Sequence, residues 1–224
     1  SLAAAEGGSA HEAYRRLRAA VIANAPRPHV LAVASVGGEH TMVAADLAVV
    51  LAEAKLSVLL VATDREGMGV SRALGLGERP GVAEVVGQGA DASNLISRSH
   101  GVSVLTPGLE NLDVRDLAAT PAFRELITQI RQRFDYVVLE GVAAAGDEML
   151  LVADSVLLVL TQDQTTRAQV IATLERFELL GIETLGAVRV QESRGGAVKP
   201  APDASAAEAG DDDVNDQAKF RAPA

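Results

Sequence analysis

The residues of most chemical interest lie near the start of the chain. An apolar run at residues 30–34 leads into Ser35-Val36-Gly37-Gly38-Glu39-His40-Thr41, and Met42-Val43-Ala44-Ala45-Asp46-Leu47-Ala48 follows. Strand, Gly-rich turn and helix form the frame of a phosphate-binding loop, or P-loop. Such a loop works because successive backbone N–H groups and a helix N-terminus surround the anion. Glycine supplies the backbone angles and the close approach. Gly37 and Gly38 are placed for that task, but the lysine expected at the helix entrance is absent. Plainer readings stand beside this one. Gly37-Gly38 also suits an ordinary turn, Thr41 a helix cap, and His40 a surface position.

The elements that would position this loop follow from hydrophobic periodicity. Ser9 and Glu12 have capping-box spacing, and Tyr14, Leu17 and Val21 recur at helical intervals until Pro26 and Pro28 end the helix. Further apolar runs at residues 57–61, 102–105, 136–139, 156–160 and 185–190 read as buried strands. Helical patterns fill residues 41–54, 81–86, 121–133, 146–152 and 165–180. Alternation of this kind predicts an α/β fold, a doubly wound, mostly parallel sheet with helices on both faces. Ligands of such sheets sit beyond the C-terminal ends of the strands, where residues 35–41 fall. The domain is expected to cover residues 9–191. Residues 1–8 and the acidic, Ala- and Pro-rich residues 192–224 are too poor in apolar side chains to order themselves.

Composition narrows the function classes. The chain of 224 residues is 48% hydrophobic with 3% aromatics and no Trp. Its core is therefore aliphatic, which suits a parallel sheet covered on both faces. A net charge of −10 argues against nucleic acid or an anionic membrane surface as a direct partner. The absence of Cys removes disulfides, thiol catalysis and Cys-based metal sites. No apolar run reaches the roughly 18 residues of a membrane span. Whether a membrane segment flanks Ser1 is left open.

Taken in order, these segments resemble the cytoplasmic P-loop domain of bacterial tyrosine kinases (BY-kinases), relatives of MinD/ParA-type ATPases. The resemblance spans roughly residues 10–190. Glu12-Ala13-Tyr14-Arg15-Arg16-Leu17-Arg18 matches the family's E-x-x-R-x-x-R oligomerisation motif. Val43-Ala44-Ala45-Asp46-Leu47-Ala48 is similar to the helix after Walker A. Val58-Leu59-Leu60-Val61 is similar to the strand before the second Walker motif. Pro121-Ala122-Phe123-Arg124-Glu125-Leu126 and Phe134-Asp135-Tyr136-Val137-Val138-Leu139 resemble the approach to Walker B and its strand, and Thr165-Thr166-Arg167 a late turn of the pattern.

The departures fall where the chemistry should be. Against the family's Gly-Lys-Thr-Thr stands Glu39-His40-Thr41-Met42, in a loop about two residues shorter. Glu39 would repel a phosphate. His40 is shorter than Lys and mostly neutral at pH 7. Thr41 keeps the hydroxyl that the resemblance assigns to Mg²⁺. In the second Walker motif, Asp-x-Asp becomes Ala62-Thr63-Asp64, so one of two carboxylates is lost. Glu140 replaces the Walker B Asp. Val188-Arg189-Val190 stands where an adenine-binding Asn is expected. The C-terminal tyrosine cluster is missing, because the only tyrosines are Tyr14 and Tyr136.

These losses imply a catalytically defective P-loop domain, a pseudokinase or pseudo-ATPase with no catalytic residue and no metal ligand set. Gly37, Gly38, Glu39, His40, Thr41, Asp64 and Glu140 would form a degenerate nucleotide site. No cofactor is expected beyond weak Mg·ATP or ADP. Asp64 and Glu140 are read as solvated acids at strand ends, with a residual metal site as the alternative. Glu12, Arg15 and Arg18 are expected to mediate oligomerisation, by head-to-tail contacts that close into a ring. A plain polar helix face is the alternative. The resemblance implies scaffolding of polysaccharide chain-length control and export, in the cytoplasmic part or partner of an inner-membrane co-polymerase. Two alternatives remain: an active ATP-binding tyrosine kinase or ATPase with a non-standard P-loop, and a soluble MinD/ParA-like adaptor that positions a partner protein.

Overall fold

The computed structural model describes residues 9–36, 41–63, 69–109, 114–144 and 148–191. The chain divides into two units, Ser1–Glu192 and Ser193–Ala224. The described residues all belong to the first. The two segments expected to be disordered, residues 1–8 and 192–224, lie outside them.

Seven strands form one sheet: β1 (His29–Val36), β2 (Val58–Val61), β3 (Ser97–Ser99), β4 (Val102–Leu105), β5 (Tyr136–Ala143), β6 (Ser155–Thr161) and β7 (Thr184–Val190). Their order is β3-β4-β2-β5-β1-β6-β7. Every pairing is parallel except that of the short edge strand β3 with β4. The helices are α1 (Ser9–Asn24), α2 (Thr41–Glu53), α3 (Gly69–Ala73), α4 (Val82–Gln88), α5 (Ala92–Leu95), α6 (Val114–Ala118), α7 (Pro121–Arg131) and α8 (Arg167–Leu180). The helical pattern at residues 146–152 appears as a 3₁₀ turn, Glu148–Val152.

Successive residues of a strand point to opposite faces, and the core follows that rule. Leu31 and Val33 join α1, α2 and α3 on one face. Val30, Ala32 and Ala34 join α4, α6, α7 and α8 on the other. Helices therefore cover both faces, as the alternation of elements predicts. The apolar moment of α7 comes from Phe123, Leu126, Ile127 and Ile130, which are all buried. Its Thr120 N-cap accepts from Phe123 N–H, and proline occupies the first turn, where the missing donor costs nothing.

Polar side chains fasten the N-terminal edge of the sheet. Asp154 accepts from Val30 N–H at 2.7 Å and from the Arg131 guanidinium at 2.9 and 3.1 Å. Asp135 accepts from both the backbone N–H and the hydroxyl of Ser57. His29 Nε2 lies 2.8 Å from Ser155 Oγ, both buried, and burial holds the imidazole pKa below its ordinary range. At the far side, Gly81 packs so closely on Thr106 that a Cβ would overlap its carbonyl oxygen. Only glycine fits that approach.

Candidate functional site

The C-terminal ends of β1, β2, β5 and β6 converge on the region where the motifs place a nucleotide. Gly37, Gly38, Glu39, His40 and Asp64 lie outside the described residues. Thr41 is the first residue of α2, so the helix begins where the motif requires.

Glu140 differs from the expectation. It is not a solvated acid at a strand end: it is 1% exposed, and β5 continues past it to Ala143. The cause is a bulge. Ala32 pairs with Leu139 but Ala34 pairs with Val142, so Val33 alone faces Glu140 and Gly141. Gly141 adopts φ 77°, a left-handed conformation that favours glycine. A bulge re-aims the side chain beside it. Glu140 Oε2 accepts from Thr63 N–H at 3.2 Å, and the Glu140 carbonyl accepts from the Thr63 hydroxyl. The residue in the Walker B position and the middle residue of the second Walker segment are thus bonded to each other across β2 and β5. The glycine inside an apolar run is the sequence signal for this bulge.

The end of β1 is fastened in a similar way. Thr165 donates from its hydroxyl to the Val36 carbonyl and accepts from Thr161 N–H. Thr165 thereby ties the β6–α8 turn to the last residue before the Gly-rich loop. Among the described residues no group of three or more His, Asp or Glu side chains is arranged to hold a metal ion. The described part of the edge is therefore built of hydroxyl-to-backbone bonds and one buried carboxylate. It does not show the paired acids that Mg²⁺ chemistry uses.

Helix α1 carries the three residues assigned to oligomerisation, and the structure separates them. Arg15 is exposed. Glu12 is exposed and lies 3.4 Å from Arg16 one turn along. Arg18 instead turns onto its own domain. Its Nη1 donates to the Val50 carbonyl at 2.8 Å and lies 3.7 Å from Glu53, near the C-terminal end of α2. Tyr14, a helical apolar position in the sequence pattern, lies with its hydroxyl beside Asp46 of α2. Burial first, and then the Asp46 charge, push its pKa far above the ordinary range. Asp46 itself is 6% exposed. Nothing in the spacing identifies this pair, because Asp46 sits in a stretch whose resemblance is only to the helix after Walker A.

The strand order and the helices on both faces make this a P-loop NTPase-like α/β fold, a fold shared with the kinase domains of bacterial tyrosine kinases. The kinase domain of the Escherichia coli tyrosine kinase ETK superposes with a TM-score of 0.74 at 22% identity, over 87% of this chain and 81% of that one. The MinD cell division protein of Aquifex aeolicus shares the fold more distantly, with a TM-score of 0.58 at 15% identity over 73% of this chain and 68% of the other. In sequence, the chain is 23% identical over 152 residues to the tyrosine-protein kinase ptk of Acinetobacter johnsonii. That match takes in 65% of this chain but only 21% of the relative, so the chain spans about a fifth of its length. No protein-family model matches. Among the described residues no helix is long and apolar enough to cross a membrane.

Proposed function

We propose that this domain is a catalytically defective relative of the BY-kinase domains, which acts by assembling rather than by transferring phosphate. The observation that supports this reading most is Glu140, sequestered at 1% exposure and bonded to Thr63. A Walker B carboxylate serves phosphoryl transfer by facing the metal and its waters. Here one carboxylate oxygen accepts from the Thr63 N–H, just past the end of β2, and the sequence supplies neither the P-loop lysine nor the first acid of the second Walker motif. In this reading the domain scaffolds or regulates chain-length control and export of a capsular or other envelope polysaccharide. It does so as the cytoplasmic part, or the partner, of an inner-membrane co-polymerase. Self-association runs through α1, with Arg15, which has no ion-pair partner among the described residues, and Glu12 beside it.

The test is calorimetric titration of the purified chain with ADP and ATP, with and without Mg²⁺. The expected result is no binding at millimolar nucleotide. Micromolar binding that requires Mg²⁺ would overturn the proposal and make the active-kinase reading the working one. The assembly part is tested separately, by mass in solution. Arg15→Ala is expected to reduce the oligomer without lowering thermal stability.

A further inference from the structure

Helix α8 is covered along only a narrow stripe. Only Thr173 and Phe177 are buried, while Ile171 is 44% exposed and Leu174 41% exposed. A helix with apolar residues outside its buried stripe needs a second partner. The exposed residues are arranged in a way that names one. Arg167, Ile171, Leu174 and Glu178 are spaced 4, 3 and 4 apart. At 3.6 residues per turn they form one narrow stripe, about a quarter-turn from the buried face. Arg167 and Glu178 are exposed, and neither side chain has an ion-pair partner among the described residues.

The stripe is symmetric about the point midway between Ala172 and Thr173. Two copies of α8 laid antiparallel about a two-fold axis through that point place Arg167 against Glu178 of the other copy, at both ends. Between them, Ile171 meets Leu174 of the other copy, twice. A two-fold interface must be self-complementary in just this sense, with residue i on j and j on i. Spacings of 3 and 4 are also the seam along which two helices interlock. The competing register is disfavoured by charge. Centring the pair on Glu175, which would bring Ile171 to Leu179, sets that carboxylate against its own copy.

We infer that α8 is a homotypic docking surface, on which a second copy of this chain pairs antiparallel through Arg167, Ile171, Leu174 and Glu178. This contact is separate from the α1 contact of the proposed function and does not depend on it. A head-to-tail α1 contact and a two-fold α8 contact on different helices would together join rings or chains into larger assemblies. Two apolar residues a side make a small seam, so the isolated chain associates weakly and must be studied up to about 1 mM.

Sedimentation velocity over a concentration series of the full 224-residue chain provides the test. Arg167→Glu and Glu178→Arg are each expected to weaken dimerisation by about tenfold or more, because each sets like charges together at both ends. The double variant, R167E/E178R, restores opposite charges and is expected to return dimerisation to within about threefold of the parent. Unfolding does not account for such a pattern. An acid in the first turn and a base in the last both favour the helix dipole, so none of the three variants should lower the melting temperature. Three outcomes would overturn the inference. They are a chain that stays monomeric up to about 1 mM, a double variant as weak as the singles, or a dimer unmoved by all three variants. A dimer lost with Arg15→Ala and indifferent to the α8 variants would leave the α1 contact standing and remove this one.

Discussion

Helices α1 and α8 invert each other. The first is expected from sequence to be an interface because Glu12, Arg15 and Arg18 match an oligomerisation motif, yet much of its polar equipment turns inward. Tyr14 lies beside Asp46, Arg18 binds the Val50 carbonyl, and His11 and Arg18 both approach Glu53. The second carries leucine and isoleucine, which suggest core, yet leaves Ile171, Leu174, Leu179 and Leu180 between 41% and 87% exposed. Residue type therefore does not give direction. A long polar side chain can satisfy carbonyl groups at the end of a neighbouring helix, while its apolar stem packs against that helix. Apolar side chains stay outside when the helix is held to the sheet by a single stripe. What distinguishes α1 is that its target, α2, is the helix that begins at the Gly-rich loop, so α1 braces the rear of the candidate site.

The strongest way to break this comparison is to place the same kind of charge on both helices. Val21 of α1 is fully buried in the core beneath α1 and α2. Val21→Asp is expected to cost more than about 4 kcal/mol, the range of an unpaired charge buried in a core. Chemical denaturation would then show either an unfolded chain or the cooperative loss of α1. A cost under 1 kcal/mol would mean that α1 is not packed as described.

Tyr14→Phe should come next. It keeps the ring and removes the hydroxyl beside the buried Asp46 carboxylate, which points to a loss of about 1–3 kcal/mol at neutral pH. The same variant has a pH signature. In the folded chain the Tyr14 hydroxyl ionises well above its ordinary value near pH 10. The unfolded chain therefore releases this proton first as pH rises, and stability falls above about pH 10. Tyr136, also shifted upward by burial, contributes a similar decline in both proteins. The alkaline loss should thus be shallower in Tyr14→Phe than in the parent. Equal slopes would show that the hydroxyl is not held as its neutral form.

The sequence made the sheet legible because buried parallel strands are continuous apolar runs; Val58-Leu59-Leu60-Val61 is β2 residue for residue. What was missed is short or polar. Strand β3 is three residues, Ser97–Ser99, with no apolar side chain, and α3, α5 and α6 are each too short to show a period. At the candidate site the positions of Thr41 and Glu140 were legible from motif order. The environment of Glu140 was not, because it depends on a bulge that shifts register between β1 and β5. Likewise the spacing Glu12, Arg15, Arg18 marks one helical stripe. Whether a guanidinium on that stripe reaches solvent or Val50 depends on how α1 sits on α2, and no local pattern encodes that.

Arg15→Ala and Arg18→Ala sharpen the point within α1. Arg15 is exposed and Arg18 retains 19% side-chain exposure while bonded to α2. Arg18→Ala is therefore expected to lower stability by about 1–2 kcal/mol, the range for a partly buried, charge-assisted hydrogen bond. Arg15→Ala should stay within about 0.5 kcal/mol. Equal melting temperatures would mean that the Val50 bond contributes nothing in solution.

The smallest expected effect lies at Leu179 of α8, 87% exposed and off the Arg167–Glu178 stripe. Leu179→Glu should change stability by no more than about 0.5 kcal/mol, as for a surface substitution that leaves no buried group unpaired. It should also leave self-association unchanged, because the residue lies outside the antiparallel seam. That pairing of results separates two explanations of the apolar exposure on α8. If association followed exposed apolar area alone, the most exposed leucine of the helix would matter most. If it follows the charge-flanked stripe, Leu179 is silent while Leu174→Ser, at half the exposure, weakens the dimer.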